Sequence, residues 1–318
     1  MEAAPLHTDV AEGPDGGSAH WLLASDGLRI RIGVWPEGGT HGTVFIFPGR
    51  TEYVEKYGRS ATELKTRGFA TVAVDWRGQG IADRMLEDGR IGHVMRFGDY
   101  QHDVAAVMDA ARQLDLPRPW FLLGHSMGGC IGLRAVLDGL DVAACAFSAP
   151  MWGVQISAGL RPVAWTLSSV LPPIGLGNMK SPGTNDIVYV LDGEFEDNTL
   201  TNDRETWEYM ARQARAHPEI ALGSPSIIWL REALREMRTL STRPSPEMPG
   251  LCFLGTNERI VDPARIKRRM EEWPGGRLIE FKDAEHEVMM EEPDVRQAVF
   301  DACAEHFKAA TLAKASWT

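Results

Sequence analysis

Three groups of residues in this chain have the types and the order needed for nucleophilic acyl transfer. The first is Gly124-His125-Ser126-Met127-Gly128-Gly129, which follows the apolar run 120–123 and precedes a small-residue-rich segment of helical character, 127–137. Glycines two residues before and two after a serine permit a sharp strand-to-helix turn, which holds the hydroxyl out at the top of a sheet. A helix starting at that serine also aims backbone N–H groups and a positive dipole end at the place where an oxyanion forms. The other use of such a sequence is a Gly-rich turn with a capping serine; the strand-turn-helix setting favours the nucleophile.

A serine hydroxyl needs a base, and the base needs an acid to orient it. After this kind of turn the partners should follow in the order serine, acid, histidine. Of nine histidines, His286 fits best, in a loop between the last strand-like run and a terminal helix. His7, His20, His41, His93, His102 and His125 all come too early, and His306 falls inside the amphipathic terminal helix. His217 is the other downstream loop histidine. For the acid, the segment Thr256-Asn257-Glu258-Arg259-Ile260-Val261-Asp262 offers two carboxylates. Glu258 is closer to the strand end, where it could hold the Nδ1 proton of the histidine. Asp262 stands before Pro263, where a helix N-cap is an equally ordinary use.

These groups need a frame, and the hydrophobic pattern supplies one. Strand-like runs at 42–49, 69–75, 120–123 and 142–147 alternate with helical segments at 52–67, 99–115 and 127–137, which predicts a mostly parallel sheet covered on both faces, an α/β fold. Such a sheet collects functional groups beyond the carboxyl ends of its strands. The rhythm stops at about 150 and resumes at 250–255, with a helix from Pro263, a last strand at 277–281 and a terminal helix from Pro293. The expected organisation is a flexible tail over 1–18, a core over 19–149 and 246–318, and a mainly helical cap over 150–245. The cap carries Trp152, Trp165, Trp207 and Trp229; Met151, Trp152 and Ile156 are candidates for an apolar pocket, with packing as the alternative use.

Composition narrows the class of function. The 318 residues hold 33 Lys and Arg against 44 Asp and Glu, a net charge of −11. No basic run could track a phosphate backbone, so nucleic acid is not an expected partner. Cys130, Cys145, Cys252 and Cys303 lie far apart in apolar stretches and read as buried thiols, neither a zinc set nor a disulfide framework. The first twenty residues lack the cationic and apolar regions of a secretory signal, and no apolar run is long enough to span a bilayer; the expected location is the cytoplasm.

In chain order, FPGRTEYVEKYGRSATEL, VDWRGQGIADR, GHSMGG, LGTNERIVD and AEHEVMMEEP resemble the α/β-hydrolase fold and its monoacylglycerol lipase or lysophospholipase branch. The resemblance spans about 25–310 and is strongest around Ser126 and over 75–84. It implies Ser126 as nucleophile, His286 as base and Glu258 as acid, where the family usually has aspartate. It also implies an oxyanion site built from the backbone N–H groups of Arg50 and Met127, although Pro48-Gly49 replaces the family's His-Gly. The implied activity is hydrolysis of a single-chain lipid ester through an acyl-enzyme, with no metal or organic cofactor. A short-chain carboxylesterase is the neighbouring alternative, and a non-catalytic module that binds a small ligand is the alternative of another class.

Overall fold

The run 44–47 is apolar at every position because both faces of its strand are covered. Phe45 and Phe47 join one hydrophobic core, and Val44 and Ile46 join a second on the opposite face, as the two-residue period of a strand requires. The computed structural model describes residues 1–155, 170–182, 184 and 189–315. Its nine strands are β1 (Glu2–Ala4), β2 (Ser18–Leu23), β3 (Arg29–Trp35), β4 (Thr43–Phe47), β5 (Ala70–Asp75), β6 (Trp120–His125), β7 (Ala144–Ser148), β8 (Gly250–Gly255) and β9 (Arg277–Phe281). They form one sheet in the order β1-β2-β3-β5-β4-β6-β7-β8-β9. The first three strands pair antiparallel, as does β3 with β5; every pair from β5 onward through β9 is parallel.

The described helices are α1 (Thr8–Ala11), α2 (Gly58–Thr66), α3 (Tyr100–Gln113), α4 (Met127–Leu137), α5 (Tyr189–Asp192), α6 (Arg204–Ala216), α7 (Ile227–Ser241), α8 (Pro263–Glu271) and α9 (Pro293–Ala315). Helices α3 and α4 cover one face of the sheet through Val104, Val107, Ile131 and Leu133. On the other face, α2 and α9 contribute Ala61, Leu64, Phe300, Cys303 and Phe307. The four cysteines are buried free thiols, and burial pushes each of them well up from the ordinary thiol range. No described helix is long and apolar enough to cross a membrane.

Between β7 and β8 the chain leaves the sheet and forms a helical cap insertion. Part of it has its own small core of Val190, Trp207, Tyr209, Met210 and Ala211. The rest is less separate than its sequence suggests, since Trp229, Ala233, Leu234, Met237 and Leu240 of α7 merge with the core that also holds α4.

Residues 1–18 depart from the tail expected of them. Glu2–Ala4 pairs with β2 at the sheet edge, and the carbonyl of Ala11 accepts from the Tyr209 hydroxyl at 2.7 Å. Gln213 Nε2 donates to the Val10 carbonyl at 2.9 Å, and Arg31 to that of Pro5 at 2.8 Å. These bonds use main-chain carbonyls as acceptors, so a polar Gly-rich composition gives no sign of them.

Candidate active site

Four chain reversals beyond strand carboxyl ends bring the candidate residues together. Ser126 follows β6, and its φ of 47° and ψ of −116° lie where a non-glycine residue is strained. Several bonds hold it there. Its N–H donates to the Ser148 carbonyl at 3.1 Å, and its own carbonyl accepts from Gly129 at 2.9 Å and from Met151 at 2.8 Å. Both flanking glycines are crowded, Gly128 beyond any accommodation. A Cβ on Gly128 would stand 1.9 Å from the Phe47 carbonyl oxygen, and one on Gly124 would stand 3.0 Å from that of Gly128. The start of α4 is therefore pressed against the end of β4, which is where the Pro48–Arg50 turn begins.

That turn is tied at nearly every backbone group. Trp76 Nε1 donates to the Pro48 carbonyl at 3.1 Å, and the Gly49 N–H donates to the Glu52 carboxylate. Gln79 takes both remaining neighbours, accepting from the Thr51 N–H at 3.0 Å and donating to the Gly49 carbonyl at 3.0 Å. Between these fixed groups the Arg50 N–H has no acceptor among the described residues. Met127, as the first residue of α4, likewise has an N–H without an intrahelical partner.

His286 follows β9, and its Nδ1 is 2.7 Å from Glu258 Oε2. The other carboxylate oxygen of Glu258 accepts from the N–H groups of Ile260 at 2.6 Å and Val261 at 2.9 Å. Burial alone would raise the Glu258 pKa. The charge and hydrogen bond of His286, with the two amides, outweigh burial and hold it below the usual carboxylate range. Asp262 instead caps α8, accepting from Ala264 at 3.1 Å and Arg265 at 3.4 Å. The two carboxylates left open by the spacing thus have different partners. Ser126 and His286 line one cavity of about 260 Å³ together with Arg50, Tyr189, Leu200 and Ile260. No hydrogen bond joins Ser126 to His286 here; in sites of this kind that contact commonly tightens only with substrate bound.

The apolar candidates fare differently. Met151 and Trp152 are buried but are not among the described residues lining this cavity. Trp152 donates to the Gly129 carbonyl at 3.1 Å and packs on Phe147 and Trp273, so its indole braces the base of α4. A residue just past a strand end can turn into the core as readily as into a pocket, and its N–H partner here lies in the core. Ile156 lies outside the described residues.

Sequence reasoning missed a buried charged cluster behind the site. Lys56 Nζ lies 2.6 Å from Glu52 Oε1 and 2.6 Å from Glu287 Oε1. His125 Nε2 is 3.2 Å from Glu287 Oε2 and 3.5 Å from Glu52 Oε1, and the Tyr57 hydroxyl donates to Glu52. Burial opposes a charge on His125, but the two carboxylates prevail and raise its pKa. Glu52, His125 and Glu287 are grouped closely enough to hold a metal ion. Lys56 supplies the cation between the two carboxylates.

A mostly parallel sheet, a strained serine between strand and helix, and a histidine held by a carboxylate define a serine hydrolase of α/β-hydrolase fold. Residues 38–293 match the family described as serine aminopeptidase, S33, and the chain belongs to that family. It is related to enzymes of the lipase and lysophospholipase group. Lysophospholipase L2 of Escherichia coli strain K12 is 31% identical over 83% of this chain and 79% of its own length. The monoglyceride lipase of Rattus norvegicus is 23% identical over 87% of this chain and 86% of its own. Among solved structures, a soluble variant of Saccharomyces cerevisiae monoglyceride lipase superposes with a TM-score of 0.70 at 18% identity, over 91% of this chain and 94% of that one. The Paleococcus ferrophilus monoacylglycerol lipase gives 0.67 at 18% identity, over 88% and 99%. These two likenesses concern the fold.

Proposed function

We propose that this protein hydrolyses carboxylic esters of single-chain lipids, monoacylglycerols or lysophospholipids, through a Ser126 acyl-enzyme. The observation that carries this reading is the His286–Glu258 contact at 2.7 Å in the wall of the cavity that holds the strained Ser126. Glu258 fixes the tautomer that leaves Nε2 of His286 free. That nitrogen removes the Ser126 proton as Oγ attacks the ester carbonyl, and the N–H groups of Arg50 and Met127 receive the oxyanion. Each such donor is worth about 3 kcal/mol in the transition state. His286 then protonates the leaving alcohol, and water repeats the sequence to release the acid. The mechanism needs no metal or organic cofactor.

The lipid assignment rests on the named relatives and on a cap over the strand ends, within the division into a core of 19–149 and 246–318 and a cap of 150–245. The test is fatty-acid release from a medium-chain monoacylglycerol and its lysophosphatidylcholine counterpart by wild type and Ser126→Ala. Release that disappears in the variant is expected. Release from short-chain esters alone would reassign the protein as a short-chain carboxylesterase. Absence of any release, with no labelling of Ser126 by a fluorophosphonate, would leave a ligand-binding module.

A further inference from the structure

Most buried and half-buried arginines among the described residues, and Lys56 with them, have one of two ordinary fates, and the Arg50 side chain departs from both. Arg31, Lys56 and Arg77 are each paired with two carboxylates. Arg84 and Arg269 have no carboxylate hydrogen-bond partner among the described residues but are struts. Arg84 donates to the carbonyls of Gly78, Gly80, Glu219 and Ala221. Arg269 donates to those of Arg243 and Leu240 and to the Ser245 hydroxyl. Arg50, half-buried, makes one side-chain hydrogen bond among the described residues, from Nη1 to the Gly223 carbonyl at 2.8 Å. Its guanidinium carbon stands 5.7 Å from the centre of the Trp229 ring, a distant cation–π contact.

A guanidinium has five N–H donors in a fork shaped for a carboxylate or phosphate. Desolvation lowers the Arg50 pKa to about 10, with only Tyr100 acting against it. The group remains a cation at neutral pH, and an incoming anion would relieve its desolvation.

We infer that the Arg50 guanidinium is a head-group site for an anionic ester substrate, a monoacyl lipid that carries a phosphodiester. The inference rests on the esterase reading above and selects within it. Arg50 would then serve twice, through its backbone N–H at the reacting carbonyl and through its side chain at the head group. The spans agree. A phosphorus on the third glycerol carbon is as many bonds from the carbonyl carbon at the first as the Arg50 guanidinium carbon is from its own amide nitrogen. The acidic groups that share the cavity, Glu52 and Glu287, are both held by Lys56, which lies in the same cavity wall and offsets their charge toward an incoming anion.

The experiment compares two substrates with the same acyl chain, 1-decanoylglycerol and 1-decanoyl-lysophosphatidylglycerol, for wild type, Arg50→Gln and Arg50→Lys. The readout is the ratio of kcat/KM for the phosphodiester to that for the neutral ester, in which any shift of the shared backbone donor cancels. A wild-type preference for the phosphodiester is expected, falling about tenfold or more in Arg50→Gln and partly restored in Arg50→Lys, with the change mainly in KM. Inorganic phosphate and sn-glycerol 3-phosphate, added to the wild type, separate the sources. Competition by glycerol phosphate only supports a head-group site. Equal competition by free phosphate, with no preference between the two lipids, would overturn it in favour of a simple anion pocket. A ratio unchanged in Arg50→Gln would also overturn it while leaving the esterase reading intact. No cleavage of either lipid or of p-nitrophenyl butyrate by folded wild type would overturn both.

Discussion

The imidazole of His125 and the carboxylate of Glu287 approach to 3.2 Å, and each residue is the chain neighbour of a proposed triad member. His125 precedes Ser126, and Glu287 follows His286. The contact therefore couples the elbow that aims the nucleophile to the loop that aims the base. Lys56 and Glu52 extend the coupling to the Pro48–Arg50 turn, because Glu52 also accepts the Gly49 N–H. One buried cluster thus spans the three backbone segments that must keep register in the proposed acyl transfer.

Replacing Glu287 by Gln removes the centre of that arrangement with little change of shape. Lys56 then keeps one carboxylate partner where it had two, and His125 loses the nearer of its two; breaking a buried pair in this way costs about 3–5 kcal/mol. Thermal unfolding of Glu287→Gln should show that loss. At temperatures where both proteins are folded, kcat should fall by up to about 100-fold, the penalty of a small misplacement of reacting groups, with KM changed much less. A variant as stable and active as wild type would remove the positioning role.

The charge on His125 makes stability depend on pH with a definite sign. Burial disfavours its imidazolium, but Glu287 and Glu52 outweigh both burial and the repulsion from Lys56, so the folded pKa is raised. The His286 ring also faces it, with centroids 4.9 Å apart. A raised folded pKa means the contribution is complete below the ordinary histidine value of about 6.5 and is lost as pH rises through the folded value. The Tm difference between wild type and His125→Gln should narrow as pH rises above about 6.5. A difference that widens with pH would mean that His125 is neutral in the fold.

Glu258 and Asp262 were equal candidates by residue type, and mutation should separate them by orders of magnitude. Glu258→Gln keeps the shape but cannot hold the required tautomer of His286, and kcat should fall by about 10⁴-fold, as for the equivalent change in other triads. Asp262→Ala removes the cap of α8, and the expected effect is about 1 kcal/mol of stability with near-normal turnover. Steady-state kinetics and thermal melts on the two variants decide the matter. Comparable kcat losses in both would contradict the division of roles read from their hydrogen bonds.

The contrast between Glu258 and the buried cluster marks what the sequence could reveal. Strands β4, β6 and β8 were legible because burial on both faces leaves an uninterrupted apolar run, and the Ser126 turn because glycines stand at both of its crowded flanks. Glu258 was legible through chain order and closeness to a strand end. Glu52 and Lys56 were not. Spaced four apart, they look like an ordinary solvated helical pair, and the groups that meet them in the interior, His125 and Glu287, are distant in the chain. Likewise α7 has the amphipathic pattern of any cap helix, and nothing in that pattern says that its apolar face meets α4. The pairing of Glu2–Ala4 left no trace because edge strands pair through main-chain groups.

Gly128 offers a test of the oxyanion site that touches no catalytic side chain. A Cβ there would stand 1.9 Å from the Phe47 carbonyl oxygen and 2.5 Å from that of Pro48, far inside contact distance, and both obstacles are backbone. In Gly128→Ala either α4 or the end of β4 must move. The Arg50 N–H leaves from that strand end and the Met127 N–H from that helix, so any relief of the clash separates the two donors. Losing one donor costs about 10²- to 10³-fold in kcat, and that loss is expected even where circular dichroism shows a folded variant. Fluorophosphonate labelling of Ser126 should slow in parallel, because the phosphoryl oxygen uses the same N–H groups. A folded Gly128→Ala variant with normal kcat and normal labelling would show that the oxyanion is held elsewhere.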